Sequence, residues 1–130
     1  MSDADALLAA AAVVRENAHA PYSRFKVGAA LRADDGRVYA GANVENASYP
    51  EGICAETAAI AAMVAGGGKR IAEFALVTEG PAPASPCGGC RQRLAEFAGA
   101  ATPVHLATTA GVRHSTTLGE LLPLAFTLKR

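Results

Sequence analysis

The sequence predicts an α/β fold: a three-layer α/β/α sandwich built on a mixed sheet of about five strands. Three observations carry this prediction. Alanine-rich runs and short alternating runs follow one another in the order α-β-β-α-β-α-β-(β)-α. The first two alternating runs flank Asp35-Gly36, a hairpin signal that supplies an antiparallel edge. In the second half helices separate the strands, which implies right-handed crossovers and a mainly parallel section. A chain of 130 residues without repeats or a linker is expected to form one domain over 1–130.

Each element has a local reason. Residues 3–18 are alanine-rich, with Ser2 or Asp3 able to cap, and Pro21 cannot continue the helix. "FKVGAALRADDGRVYAGANV" alternates in two runs around its turn, and "ENASYPEGI" reads as a loop. Residues 54–65, "CAETAAIAAMVA", form a buried helix closed by the glycines at 66–68. "IAEFALVTE" is a strand, and Cys87 opens a helix to about residue 98. "PVHLATT" is a further strand, "GVRHSTT" a short edge strand, and Thr117 caps a last short helix, "LGELLP".

Composition narrows the function. Hydrophobic residues make up 51% of the chain and charged residues 18%, a low share that points to surface buried between subunits. Lys plus Arg and Asp plus Glu stand at 12 each, and there is no long basic run and no tryptophan. Nucleic acid and anionic membranes are therefore not expected partners. The apolar run at 6–14 is too short to cross a bilayer, and aspartates precede it where a secretory signal carries positive charge. A cytoplasmic location is expected.

The chain has three cysteines: Cys54 in "GICAETAAI", and Cys87 and Cys90 in "SPCGGCRQ". Redox use of the close pair leaves Cys54 unexplained. A closed structural zinc site needs a fourth ligand, and His19, His105 and His114 all stand far from the cysteines in sequence. A catalytic zinc site takes three protein ligands and keeps one position open. Three cysteines fit that count. Helix starts favour thiolates, and positions three apart share a direction. Glu56, two residues after Cys54, points elsewhere than that ligand and suits a general acid and base. Its simpler reading is a first-turn glutamate favoured by the helix dipole. "GGGKR" resembles a phosphate loop but lacks the required spacing, and it reads as a helix stop.

"PYSRFKVGAAL", "NVEN", "YPEGICAE", "SPCGGCRQ" and "LLPLAF", in this order, resemble the zinc-dependent cytidine deaminases of the small homotetrameric nucleoside type. The resemblance implies one Zn²⁺ per chain on Cys54, Cys87 and Cys90. It implies hydrolytic deamination of cytidine and deoxycytidine in pyrimidine salvage, with release of ammonia. A water activated at the zinc attacks C4 while Glu56 shuttles protons. Asn43 and Glu45, same-face polar groups two apart, would hold the ribose 3′ hydroxyl. Phe25 would stack on the pyrimidine, and Ala55 would present its backbone to it. Tyr49 is expected at an intersubunit contact near the site, and Phe126 would come from a neighbouring subunit of a tetramer with shared sites. Arg91 and Gln92 would support the ligands from behind.

One departure from the family carries its own expectation. Many similar deaminases have arginine after Cys-Ala-Glu, where this chain has Thr57. The cysteine sulfurs are therefore expected to be supported mainly by backbone N–H groups at the two helix starts, with Arg91 a lesser source. Rival readings are a deaminase of a cytosine nucleoside antibiotic of the blasticidin S type, a nucleic-acid editor, which the zero net charge disfavours, and a non-catalytic zinc-stabilised binding module.

Overall fold

The computed structural model describes residues 2–128. Its elements follow the predicted order: α1 (Asp3–Arg15), β1 (Val27–Ala33), β2 (Val38–Ala42), a 3-10 turn (Tyr49–Glu51), α2 (Ala55–Ala65), β3 (Ile71–Thr78), α3 (Gly88–Phe97), β4 (Pro103–Thr108), β5 (Arg113–Thr117) and α4 (Leu118–Leu121). One five-stranded sheet runs β2-β1-β3-β4-β5. The sheet is mixed, but the expected mainly parallel section is one pair, β3 with β4. The hairpin is the reason. β1 stays bonded to β2 and enters antiparallel beside β3, separating the two strands that α2 connects. β5 then returns antiparallel along β4.

α1 begins with a reciprocal capping box, in which the Asp5 N–H donates to Ser2 Oγ and the Ser2 N–H to Asp5 Oδ2. It ends at Arg15, three residues earlier than the sequence suggests. Arg15 is drawn off the helix end: its Nε donates to the Lys26 carbonyl at 3.0 Å and its Nη2 to Glu79 at 2.6 Å. The following residues unwind, and His19 bridges to Val44. The hairpin turn places Gly36 at φ +83°, a conformation that a side chain would strain.

The sheet has an apolar layer on each face. Leu7 and Ala11 of α1 pack on Ala30, Ala75, Val77 and Ala107. The larger layer joins Ala55, Ala59, Ile60 and Met63 of α2 and Leu94 of α3 to Leu31, Phe74, Leu76, Val104 and Leu106. Alternate residues of β3 thus serve opposite layers, as strand geometry requires. On the α1 side a polar stripe crosses four strands. Glu73 accepts from both Arg32 Nη groups and meets His105 Nε2, and His105 Nδ1 meets Ser115 Oγ at 2.8 Å. His105 is thereby a structural residue, as its isolation from the cysteines in sequence suggested.

Two glycines set how closely helices approach the sheet. A Cβ on Gly28 would lie 2.0 Å from the Ala11 carbonyl oxygen, and one on Gly41 would lie 2.4 Å from the Ala59 nitrogen. Both contacts are with helix backbone, which cannot turn aside. Gly41→Ala is expected to force α2 off β2 and to cost about 1–3 kcal/mol, as overpacking does. Urea denaturation measures this as a lower midpoint at unchanged slope.

Candidate active site

The two ligand-bearing helices begin at the same end of the sheet. Cys54 is the N-cap of α2 and Cys87 the N-cap of α3, each with extended backbone. Cys90 lies one turn into α3 and is fully buried. The three sulfurs lie within 4.8 Å of one another. Tetrahedral zinc at ~2.3 Å needs thiolates about 3.8 Å apart, so a small closure completes the site. Three convergent sulfurs, with no histidine in the group among the described residues, form a zinc-type donor set.

Without a cation two of the three thiols resist ionisation. Burial pushes the Cys54 and Cys90 thiols upward, and the Glu56 carboxylate adds to both shifts. Cys87 goes the other way, because the Cys90 backbone N–H donates to it. Glu56 is 4% exposed, and burial raises its carboxyl above the usual range. A divalent cation reverses this balance and draws the protons off.

The expectation of mainly backbone support holds for Cys87, which the Cys90 N–H serves, and fails for Cys90, which a guanidinium serves. Arg93 Nη1 donates to Cys90 Sγ at 3.6 Å. Arg91 supplies no charge to the cluster: its Nε donates to the Pro86 carbonyl at 2.8 Å and its Nη1 to the Leu121 carbonyl at 2.7 Å. It ties the segment ahead of Cys87 to the end of α4. Gln92 turns away and donates to the Phe126 carbonyl at 3.0 Å. Thr57 sits half-buried in the first turn of α2.

A cavity of about 680 Å³ opens over this cluster. Its lining brings Phe25, Asn43, Glu45, Tyr49, Cys54, Ala55, Glu56 and Cys87 together. Phe25 is 43% exposed. Asn43 and Glu45 also hold the cavity wall. Asn43 Oδ1 accepts from the Val27 N–H, and its Nδ2 donates to the Phe25 carbonyl, both at 2.9 Å. Glu45 accepts from the backbone N–H groups of Tyr22 and Ser23 and from the Ser23 hydroxyl. These bonds, the Ser23 hydroxyl foremost, hold its carboxyl below the usual range, so it is an anionic acceptor at neutral pH. Tyr49 stands edge-on to Tyr22, with ring centroids 6.2 Å apart. Phe126 is absent from this cavity. It lines a second depression with Gln92, Glu96 and Leu128, and is 69% exposed.

Two residues of the site carry no motif. Arg93 is one. Thr78, at the end of β3, is the other: it borders the cavity, and its hydroxyl is the one buried side-chain N/O atom without a hydrogen-bond partner among the described residues. The sequence offers a polar residue closing an apolar strand as the sole hint of Thr78.

The family model of the cytidine and deoxycytidylate deaminase zinc-binding region matches residues 1–106. The chain belongs to this family. A cytidine deaminase of Sporosarcina psychrophila is 44% identical over 124 residues, covering 95% of this chain and 91% of the relative. One from Halalkalibacterium halodurans is 45% identical, covering 96% and 95%. Among solved structures, a cytidine deaminase from Burkholderia pseudomallei superposes with a TM-score of 0.91 at 45% identity, covering 97% of this chain and 100% of that one. The family's zinc-binding region includes all three cysteines and Glu56. Mixed-sheet order and layers agree with those neighbours at the level of the fold.

Cys54→Ala and Cys90→Ala are each expected to abolish stoichiometric zinc, read by elemental analysis of the dialysed protein. Chelation of the wild-type protein is expected to lower its melting temperature, because metal binding is coupled to folding.

Proposed function

We propose that this chain catalyses the zinc-dependent hydrolytic deamination of cytidine and deoxycytidine to uridine and deoxyuridine, with release of ammonia, as a step of pyrimidine salvage. One observation carries the reading: a buried carboxyl, Glu56, shares a cavity with Cys54 and Cys87, two of three convergent cysteine sulfurs. At about 680 Å³ the cavity falls within the range of small-molecule sites.

Cys54, Cys87 and Cys90 would hold the zinc, which would supply a water acidic enough to act as a nucleophile at neutral pH. Glu56 accepts the proton of that water and delivers it to N3 of the base. Once the water oxygen is on C4, Glu56 takes the remaining hydroxyl proton and donates it to the amino group, so that C4 becomes a carbonyl as ammonia leaves. Burial suits it to this work, because it raises the carboxyl above its usual range and so makes it a better proton acceptor. The backbone of Ala55 faces the base, and Phe25 stacks on it. Glu45 and Asn43 take the ribose 3′ hydroxyl with the hydrogen-bonding capacity left after they fix the wall. The anionic Glu45 is an acceptor that a sugar hydroxyl satisfies. This favours a plain nucleoside over an antibiotic of the blasticidin S type, and a buried acid beside the metal site favours an enzyme over a binding module.

The proposed assembly is a homotetramer with shared sites. Exposed apolar side chains support it: Val64 on α2, Tyr49 beside the cavity, and Leu124 and Phe126 near the C-terminus. Phe126 lies outside its own chain's cavity, which suits a role in a neighbour's. Among the described residues no helix is long and apolar enough to cross a membrane.

Glu56→Gln is expected to keep zinc and the melting temperature while turnover falls by about 10⁴-fold or more, the upper end for one general acid and base. Ammonia release from cytidine, deoxycytidine, adenosine and blasticidin S, measured side by side, tests the substrate assignment. Release from cytidine by the variant at near wild-type rate overturns the role of Glu56. Light scattering is expected to give four chains per particle, and an active monomer contradicts the shared site.

A further inference from the structure

A zinc site made of three thiolates carries a formal charge of minus one, and the Glu56 carboxyl stands beside it. Excess charge of this kind weakens each thiolate's hold on the metal unless a donor takes up part of it. We propose that Arg93 of α3 is the positioning residue that balances this centre, acting through Cys90 Sγ.

This inference rests on the zinc reading above, and three observations support it. The first is the contact: Arg93 Nη1 lies 3.6 Å from the Cys90 sulfur, and that sulfur belongs to the fully buried cysteine. A guanidinium donates a charge-assisted bond and cannot lose its proton.

The second observation is the room made for it. A Cβ placed on Gly89 would stand 3.2 Å from Arg93 Nη1 and 3.8 Å from its Cζ. Gly89, the second of the two glycines between Cys87 and Cys90, leaves the guanidinium its seat on the sulfur side of the helix. The third is the lack of a substitute. Arg91 is committed to the Pro86 and Leu121 carbonyls. Thr57, three positions after Cys54 and so on the same side of α2's first turn, carries no charge. The positive charge is delivered from α3, one turn beyond Cys90.

The test is zinc affinity, measured by competition with a chromophoric chelator on the full chain. Arg93→Met is expected to bind zinc about 10- to 100-fold more weakly, the usual effect of removing a partner of a metal ligand. Its zinc-free form is expected to melt where the zinc-free wild type does, which separates charge from folding. Arg93→Lys is expected to recover part of the loss. Thr57→Arg added to Arg93→Met is expected to recover most of it, because either helix can then present the charge. Cobalt substitution gives a second reading: the thiolate-to-cobalt absorption band is expected to shift in Arg93→Met and to return in the double variant. Arg93→Met binding zinc within twofold of wild type, with an unshifted cobalt band, overturns the proposal. Zinc retained by Cys90→Ala overturns the metal site itself, a different outcome.

Discussion

Three sulfurs meet at the starts of two helices, where burial and the Glu56 carboxylate oppose the ionisation of Cys54 and Cys90, and the arrangement of the site follows from that opposition. The thiols meet because α2 and α3 both begin at one end of the sheet and both pack on the same apolar layer. Little freedom remains to relieve the crowding. Gly41 lets α2 rest almost backbone to backbone on β2, and Leu94 anchors α3 in the core. The relief is instead chemical. A backbone N–H serves Cys87, a guanidinium serves Cys90, and a divalent cation satisfies all three.

The wall opposite the cysteines is built by the residues that the sugar would use. Glu45 and Asn43 clamp the segment from Tyr22 to Val27 through its backbone, and that segment presents Phe25 to the cavity. On the proposed reading, recognition groups and scaffold are the same side chains. Replacing either residue alters the position of the ring as well as the bond to the hydroxyl, and the effects of substitutions at 25, 43 and 45 are expected to be non-additive.

Much of this was legible in the chain because the signals were local. Helix caps at Ser2 and Thr117, the Asp35-Gly36 turn and the cysteine spacing each depend on a few neighbouring residues, and each was read from the sequence. Strand pairing was less legible. That β1 would lie between β2 and β3, leaving one parallel pair, depends on which edge the hairpin offers to β3, and alternation within a strand does not encode that choice. Arg93 escaped notice for a related reason. It is an arginine on an exposed helical face, indistinguishable from a solvated one until the helix is turned so that Cys90 lies beneath it. Arg91 bonds the Pro86 carbonyl ahead of Cys87 and no sulfur, so it is not the lesser charge source expected: it is adjacent to Cys90 in sequence, but a helix turns neighbours about 100° apart.

Cys54 and Cys87 are 33 positions apart, with α2 and the whole of β3 between them. A metal held by both is, for the unfolded chain, a cross-link that closes this loop. Chain-entropy arithmetic for a loop of that length gives a stabilisation on the order of 3–4 kcal/mol. Much of a small domain's net stability is of that size. The ion would thus also act as a staple, restricting the disordered ensemble of a chain whose core is built largely from alanine and other small side chains.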